Sequence, residues 1–183
     1  IRINFGAGSA PAMYNDETII ESMMNVGYSL EDARNYVAIG CVEPTAPGKS
    51  LASTDAGMYN MPLAVEMALN EGKQFHSSKQ IGAKTPPVSE MRSMDDFVAA
   101  YDTQVKHQLG KLRRDLEAIE RFHAEHHPTP LTSSMVEGCV EQGVCSTSGG
   151  AIYNFSGIQG CGMATVADSL GAIESAVFDD GWL

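Results

Sequence analysis

The stretch VAIGCVEPTAPGKSLAST, residues 37–54, decides the fold, because a short apolar run passes directly into a segment rich in proline and glycine. The run VAIGC predicts a strand that ends in glycine and cysteine. The prolines and the glycine that follow predict an irregular loop over 44–54. We therefore expect Cys41 where a strand enters a loop, a place at which α/β proteins often carry functional groups.

Helical patterns flank this stretch on both sides. A capping residue followed by an apolar pattern predicts helices over 15–25 and 29–36. A proline near the first turn and a glycine beyond the end predict another over 62–70. Over 95–126 the apolar positions recur at intervals of three and four, which predicts one long helix. Strand-to-loop junctions separated by helices predict a mixed α/β architecture.

The remainder of the chain continues this alternation. Residues 73–92 are predicted to be an irregular connection, and 129–143 a helix that ends at Gly143. The segment 151–157 alternates and carries aromatic residues, which predicts a strand. The segment GIQGCG predicts a glycine-rich turn, and 163–180 a closing helix with an apolar stripe.

Composition and charge narrow the classes of partner. The 183 residues hold 23 acidic and 12 basic side chains, a formal charge of −11, so the sequence predicts no nucleic-acid partner. No apolar run approaches the roughly 20 residues of a membrane span, so no membrane partner is predicted and a cytoplasmic location is expected. None of the four cysteines is spaced C-x-x-C, which favours reduced thiols. The first residue is isoleucine, and we expect a piece of a longer polypeptide.

The tetrapeptide GCVE occurs twice, at 40–43 and 138–141. The second copy falls in a predicted helix, where residues two apart point about 200° from each other, so Cys139 is predicted as a small buried residue and Glu141 as a surface charge. In the first copy an extended backbone would place Cys41 and Glu43 on one face, within reach of one substrate. Spacing alone leaves a core cysteine at a strand end equally open.

Three further motifs resemble parts of common metal, phosphate and dinucleotide sites. The segment HAEHH, 123–127, spaces three histidines for zinc, yet it matches no established zinc motif and no other ligand cluster is evident, so no metal site is predicted. The segment PGKS lacks the earlier glycine of a phosphate-binding loop. The segment GIQGCG differs from the dinucleotide fingerprint.

The order of five longer segments resembles the glycyl radical enzymes. They are FGAGSAPAMYNDETII, EDARNYVAIGCVEPTAPGK, TPLTSSMVEGCVEQG, GGAIYNFSGIQG and VADSLGAIESAVF. The GCVEP segment is similar to the cysteine loop of the branch that holds glycerol and diol dehydratases, hydroxyproline dehydratase and choline trimethylamine-lyase. Pyruvate formate-lyase has two adjacent cysteines there, whereas position 40 is glycine, which argues against formate-lyase activity.

The resemblance implies a barrel of ten strands in two five-stranded halves, of which residues 1–183 would be a central part of the catalytic domain. It implies that a glycyl radical near the C-terminus oxidises Cys41 to a thiyl radical, which takes a hydrogen atom from a substrate carbon. Glu43 would act as base on the neighbouring hydroxyl. No cofactor bound directly is implied; a radical S-adenosylmethionine activating enzyme would install the radical.

Residues that follow the cysteine loop indicate which class of substrate the resemblance favours. Asp55 matches an aspartate that holds substrate hydroxyls in the glycerol dehydratases, which favours dehydration of a small polyol or hydroxylated compound. Thr54 stands where those enzymes have histidine and choline lyases have threonine. Tyr153 is expected to line the same cavity, with a core tyrosine whose hydroxyl is bonded as the alternative.

Two segments of the glycyl radical enzymes have no counterpart in this sequence. The glycine loop R-V-x-G-Y and the family's N-terminal half are not in these residues, so the chain alone is expected to be inactive. Implied partners are a small-molecule substrate, the remainder of the enzyme, the activating enzyme and a second subunit in a homodimer. Alternatives are C–N or C–S cleavage, arylacetate decarboxylation and, from another class, a non-catalytic fragment or binding domain with a buried thiol.

Overall fold

A computed structural model describes residues 14–40 and 42–181. The mixed α/β architecture is confirmed. The helices are α1 (Asp16–Asn25), α2 (Leu30–Arg34), α3 (Met61–Leu69), α4 (Met94–His126), α5 (Pro130–Ser133), α6 (Cys139–Gln142) and α7 (Met163–Ile173). The strands are β1 (Val37–Ile39), β2 (Glu43–Thr45), β3 (Ser50–Asn60) and β4 (Tyr153–Cys161). Short 3-10 turns lie at Val88–Glu90 and Ser146–Ser148, and a π-helix at Glu174–Asp179 follows α7.

The described residues form two compact units. The first takes in the residues up to 54 together with 121–157. The second takes in 55–120 together with the residues from 158 onward. Each unit is described separately below.

A two-stranded antiparallel hairpin of β1 and β2 lies in the first unit. Its register pairs Val37 with Thr45, Ala38 with Pro44 and Ile39 with Glu43. The prediction of an irregular loop over 44–54 is therefore wrong, since both β2 and the start of β3 fall within it. Both strands of a two-stranded sheet are edge strands. Pro44 is tolerated in β2 because an edge strand does not need every N–H group for pairing.

Strands β3 and β4 form a second two-stranded sheet. The backbone N–H of Tyr153 donates to the carbonyl of Lys49 at 3.0 Å, immediately before β3. The predicted turn over 157–162 is wrong, because β4 continues to Cys161 and only Gly162, with φ of 86°, leaves it. Gly157 lies in the strand for a packing reason: a Cβ there would be 2.4 Å from the carbonyl oxygen of Thr54.

The helix predicted over 129–143 is broken into the short helices α5 and α6. Gly138, between them, has φ of 93°, a conformation that continues no helix. The Oε2 atom of Glu141 accepts a hydrogen bond from the N–H of Gly138 at 2.9 Å and so caps the start of α6.

The core of the second unit joins α3, α4 and α7. Its buried members are Val65, Ala68, Phe97, Ala100 and Val166. Phe97 and Val166 belong to the apolar stripes that predicted α4 and α7, and the long helix is confirmed over Met94–His126. In this unit the side chain of Gln104, fully buried, donates to the carbonyl of Ala83 at 2.7 Å and accepts from its N–H at 2.9 Å. That pair of hydrogen bonds fixes part of the 73–92 connection, which is largely irregular as predicted.

Each helix within 14–40 and 42–181 is too short or too polar to cross a bilayer.

Candidate functional site

The tip of the β1–β2 hairpin carries the first GCVE copy. Gly40 has φ of 56°, in the left-handed region that favours glycine, and it turns the chain out of β1. Cys41 lies outside the described residues, so its predicted role is untested. Its two chain neighbours, Gly40 and Val42, are described.

The carboxylate of Glu43 folds back toward the hairpin tip. Its Oε2 atom accepts a hydrogen bond from the N–H of Val42 at 2.9 Å. A Cβ atom at Gly40 would stand 2.7 Å from the same oxygen. The carboxylate therefore contacts both residues that flank Cys41 in the chain. Glu43 is half-buried, and its place opposite Ile39 in the hairpin fixes the backbone from which the side chain projects.

An anionic centre at Asp32 ties the segment after the hairpin to α2. The Asp32 carboxylate accepts hydrogen bonds from Lys49 Nζ at 2.6 Å, from Tyr153 Oη at 2.7 Å and from Ser29 Oγ at 2.8 Å. These three bonds, that of Lys49 first, lower the pKa of Asp32 from 3.8 to about 2. The same ion pair raises the pKa of Lys49. A carboxylate with three donors is held in one orientation, so the Lys49 end of the turn between β2 and β3 is fixed to α2.

Tyr153 contributes to this centre with both its ring and its hydroxyl. The hydroxyl donates to Asp32 and accepts from the N–H of Ser29 at 3.1 Å. Its ring centroid lies 4.3 Å from that of Tyr28 and 6.3 Å from that of Phe155. The bonded hydroxyl agrees with the structural alternative considered for this residue, and its substrate-binding role stays a prediction.

Comparison with known families shows which family this chain is part of. A family model described as pyruvate formate lyase-like matches residues 2–182. The chain belongs to the pyruvate formate lyase-like family. Its resemblance to the glycyl radical enzymes is confirmed, because a solved glycyl radical enzyme from Archaeoglobus fulgidus matches with a TM-score of 0.82 and 38% identity, over 88% of this chain and 21% of that one.

Two further relatives within this family are dehydratases. The (2S)-3-sulfopropanediol dehydratase of Klebsiella oxytoca is 37% identical over 180 residues, which are 98% of this chain and 21% of the relative. The glycerol-bound B12-independent glycerol dehydratase from Clostridium butyricum matches with a TM-score of 0.87 and 42% identity, over 95% of this chain and 22% of that one. The chain thus spans about a fifth of the length of these relatives.

Thr54 and Asp55, the other predicted substrate contacts of this family member, are consecutive in β3. Neighbouring side chains of a strand point to opposite faces, so the structure does not bring these two together. Thr54 is half-buried and belongs to the first unit, whereas Asp55 is exposed and belongs to the second. Their roles stay predictions.

The burial predicted for Cys139 and the exposure predicted for Glu141 are confirmed, although the helix around them is broken at Gly138. Cys139 is 3% exposed at the start of α6, and burial raises the pKa of its thiol. Glu141 is exposed, although it also caps α6 through Gly138. The two copies therefore use the same tetrapeptide in different backbones, and only the first lies at a hairpin tip.

The histidines of HAEHH group around one aromatic ring. The ring centroid of Phe122 lies 4.7 Å from that of His126 and 5.4 Å from that of His127. Within the described ranges, no three side chains of histidine, cysteine, aspartate or glutamate are grouped so as to hold a metal ion.

Sequence reasoning missed the role of Asp32 and Lys49. In the sequence, Ser29 and Asp32 indicate only the start of a helix, and Lys49 belongs only to the PGKS segment, which lacks the earlier glycine of a phosphate-binding loop. The one available signal was the Ser-x-x-Asp spacing, which places a carboxylate on the first turn of α2. Nothing in the local sequence indicates Tyr153 as its partner, because the two are 121 residues apart.

Proposed function

We propose that this chain is the cysteine-loop part of a glycyl radical eliminase that dehydrates a small polyol or another hydroxylated compound. One observation carries the proposal: the Glu43 carboxylate contacts both chain neighbours of Cys41, at the tip of a hairpin with the family's GCVEP sequence. A base held beside a cysteine is what radical dehydration of a hydroxylated carbon requires.

Residues 1–183 are proposed to be a central part of a catalytic barrel of ten strands in two five-stranded halves. The likeness to the glycerol dehydratase of Clostridium butyricum, at a TM-score of 0.87, supports this placement. The β1–β2 hairpin would then present its tip to the interior of the barrel, where water is excluded from the reacting groups.

Cys41 is proposed to carry the reaction as a thiyl radical, the unpaired electron coming from a glycyl radical that a radical S-adenosylmethionine enzyme installs. The Cys41 sulfur takes a hydrogen atom from a hydroxyl-bearing substrate carbon and leaves a carbon radical. The C–O bond at the adjacent carbon breaks with both electrons going to oxygen, and the departing hydroxide takes the proton that Glu43 has removed and leaves as water. The product radical then takes the hydrogen atom back from the Cys41 thiol.

Glu43 is proposed to be the base of this cycle. Its carboxylate removes the proton from the hydroxyl at the radical carbon, which makes expulsion of the adjacent hydroxyl easier. The hydrogen bond from the N–H of Val42 holds Oε2, so the carboxylate keeps its position while substrate exchanges.

Asp55, Thr54 and Tyr153 are proposed as further substrate-binding residues. Asp55, which is exposed on β3, would accept hydrogen bonds from substrate hydroxyls. Thr54 is proposed from its place in the family's sequence pattern, although its side chain points to the opposite face of β3. The Tyr153 hydroxyl already makes two hydrogen bonds, so its contribution would come from the ring. Partners proposed for the whole protein are the remainder of the enzyme, the activating enzyme and a second identical subunit.

The test uses the full-length protein, activated without oxygen and incubated with glycerol, 1,2-propanediol, sulfopropanediol and choline in separate reactions. We expect dehydration of at least one diol, detected as the aldehyde product, and loss of turnover in Cys41→Ser. The exposed Cys161 supplies the matched control, since Cys161→Ser should retain turnover. Turnover by Cys41→Ser would refute the thiyl mechanism, and release of trimethylamine without dehydration would assign the C–N lyase alternative.

A further inference from the structure

Two of the cysteines line one open cavity in the first unit. Cys139 and Cys145 border a cavity of about 280 Å³ whose other walls include Pro128, Pro130 and Val144. Neither cysteine is in a disulfide. The Cys145 side chain is half-buried, so the sulfur is reached from the cavity, whereas Cys139 is 3% exposed.

The Cys145 sulfur lies beside one backbone N–H donor and two hydroxyls that can donate or accept. The backbone N–H of Thr129 donates to Sγ at 3.1 Å. The Ser133 hydroxyl lies 3.2 Å from Sγ, and the Thr147 hydroxyl 3.3 Å. These bonds lower the pKa of the Cys145 thiol from 9.0 to about 5. The bond with Ser133 has the largest effect, followed by those with Thr147 and with the N–H of Thr129. Donors aimed at a sulfur favour its anionic form.

The backbone N–H of Thr129 is a fixed donor, whereas the hydroxyl protons can rotate toward other acceptors. The Ser133 hydroxyl has a single proton, and it also contacts the carbonyl of Thr129 at 2.7 Å and the hydroxyl of Ser146 at 3.2 Å. The N–H of Thr129 makes no other hydrogen bond among the described residues. The backbone bond therefore stabilises a thiolate whichever way the hydroxyl proton turns.

The second thiol of the cavity has the opposite character. The Cys139 sulfur makes no hydrogen bond in the described part of the chain, and burial keeps the pKa of its thiol raised. A small molecule that reacts with sulfur would therefore meet two different thiols in this cavity, Cys145 and the buried Cys139. One is a nucleophile, and the other is a neutral thiol.

We propose that Cys145 is a modification site at which a hydroperoxide entering this cavity oxidises the thiolate to a sulfenic acid. This site is separate from the GCVEP loop, and the proposal does not depend on the proposed radical chemistry. Hydrogen peroxide is little larger than water, whose share of liquid volume is about 30 Å³, so the cavity admits it with its hydration.

The step balances as a two-electron oxidation of sulfur. The Cys145 thiolate attacks one peroxide oxygen, an S–O bond forms and the O–O bond breaks. The second oxygen leaves as hydroxide and is protonated to water. The sulfur is oxidised and the peroxide is reduced, so no other oxidant is required.

The first test treats the full-length, unactivated protein with hydrogen peroxide and dimedone, and locates the adducts by peptide mass spectrometry. We expect the adduct at Cys145 in the wild type and in Cys139→Ser, in which no neighbouring thiol can consume the sulfenic acid. It should be absent from Cys145→Ser. The exposed Cys161 is the internal control for simple accessibility, and we expect at least about ten-fold less adduct there.

The second test measures the rate of Cys145 alkylation by iodoacetamide against pH in the same protein. The rate should stay level from pH 9 to about 6 and fall to half near pH 5, where the Cys145 thiolate becomes protonated. Ser133→Ala should keep a midpoint well below the ordinary value of about 8.5, because the N–H of Thr129 remains. A wild-type midpoint near 8.5, or more adduct at Cys161 than at Cys145, would overturn the proposal.

Discussion

The carboxylate of Glu43 occupies the space that a side chain at Gly40 would need, since a Cβ there would lie 2.7 Å from Oε2. The glycine that opens the GCVEP loop therefore has two functions. It adopts a φ of 56°, and it leaves room for the proposed base.

The substitution Gly40→Ala should lower turnover of the full-length activated enzyme by at least about ten-fold, because the new methyl group displaces the Glu43 carboxylate. The left-handed backbone adds a cost of roughly 1–2 kcal/mol in stability. Gly48→Ala is the matched control, since Gly48 has φ of 71° with nothing within 4 Å of its Cβ position. It should carry a similar backbone cost and keep most of the turnover. Equal loss of turnover in both variants would show that strain, not Glu43, is responsible.

The substitution Glu43→Gln should lower kcat by about 10²- to 10⁴-fold, the range typical for loss of a general base. The amide oxygen can still accept the N–H of Val42, so the hairpin should remain folded. The control is Glu141→Gln in the second GCVE copy, which should retain kcat. Steady-state rates and circular dichroism of both variants decide the matter, and a Glu43→Gln enzyme with unchanged kcat would exclude Glu43 as the base.

The helices could be predicted from the sequence because their signals are local. The apolar period of Met94–His126 and the capping residues of α1 and α2 are each contained within one element. The hairpin was missed because proline is typical of loops, and the length of β4 was missed because its pairing with β3 joins distant residues. Pro44 and Gly157 indicate turns when read alone, and only a partner strand makes each of them suitable for a sheet.

In the candidate site, too, the local motif could be predicted from the sequence and the contacts made by folding could not. Glu43 was found because it lies two residues from Cys41 in a motif. The contact of its carboxylate with Gly40 could not be predicted, since it depends on the φ of Gly40 and on the hairpin register. The bond between Asp32 and Tyr153 joins residues in different parts of the chain and leaves no local pattern.

The substitution Tyr153→Phe should lower the melting temperature, because the Asp32 carboxylate and the N–H of Ser29 both lose a partner. It should change KM by less than about two-fold, since the ring is retained. Calorimetry and steady-state kinetics on the full-length enzyme separate these effects. A KM raised more than about ten-fold at an unchanged melting temperature would instead assign the hydroxyl to substrate binding.

Acid should destabilise the first unit partly through Asp32. Its folded-state pKa of about 2 lies below its ordinary value of 3.8, so the unfolded chain binds the proton more readily between these values. The stabilisation is therefore complete above about pH 4 and is lost as pH falls toward 2. Asp32→Asn should flatten the decline of the melting temperature over this interval. Asp168→Asn, at an exposed position of α7, should leave the slope as in the wild type; an unchanged slope in Asp32→Asn would argue against the network.

The substitution Gly157→Ala tests the pairing of β3 and β4. Because the new Cβ would lie 2.4 Å from the carbonyl oxygen of Thr54, the two strands must move apart, and we expect a loss of about 1–3 kcal/mol in stability. Gly171→Ala is the control, since Gly171 lies within α7 with nothing within 4 Å of its Cβ position. Alanine should stabilise that helix by about 0.5–1 kcal/mol. Thermal unfolding of both full-length variants should therefore give shifts of opposite sign. A Gly157→Ala protein as stable as the wild type would mean that residue 157 lies in the loose turn expected from its sequence, and not against the Thr54 backbone.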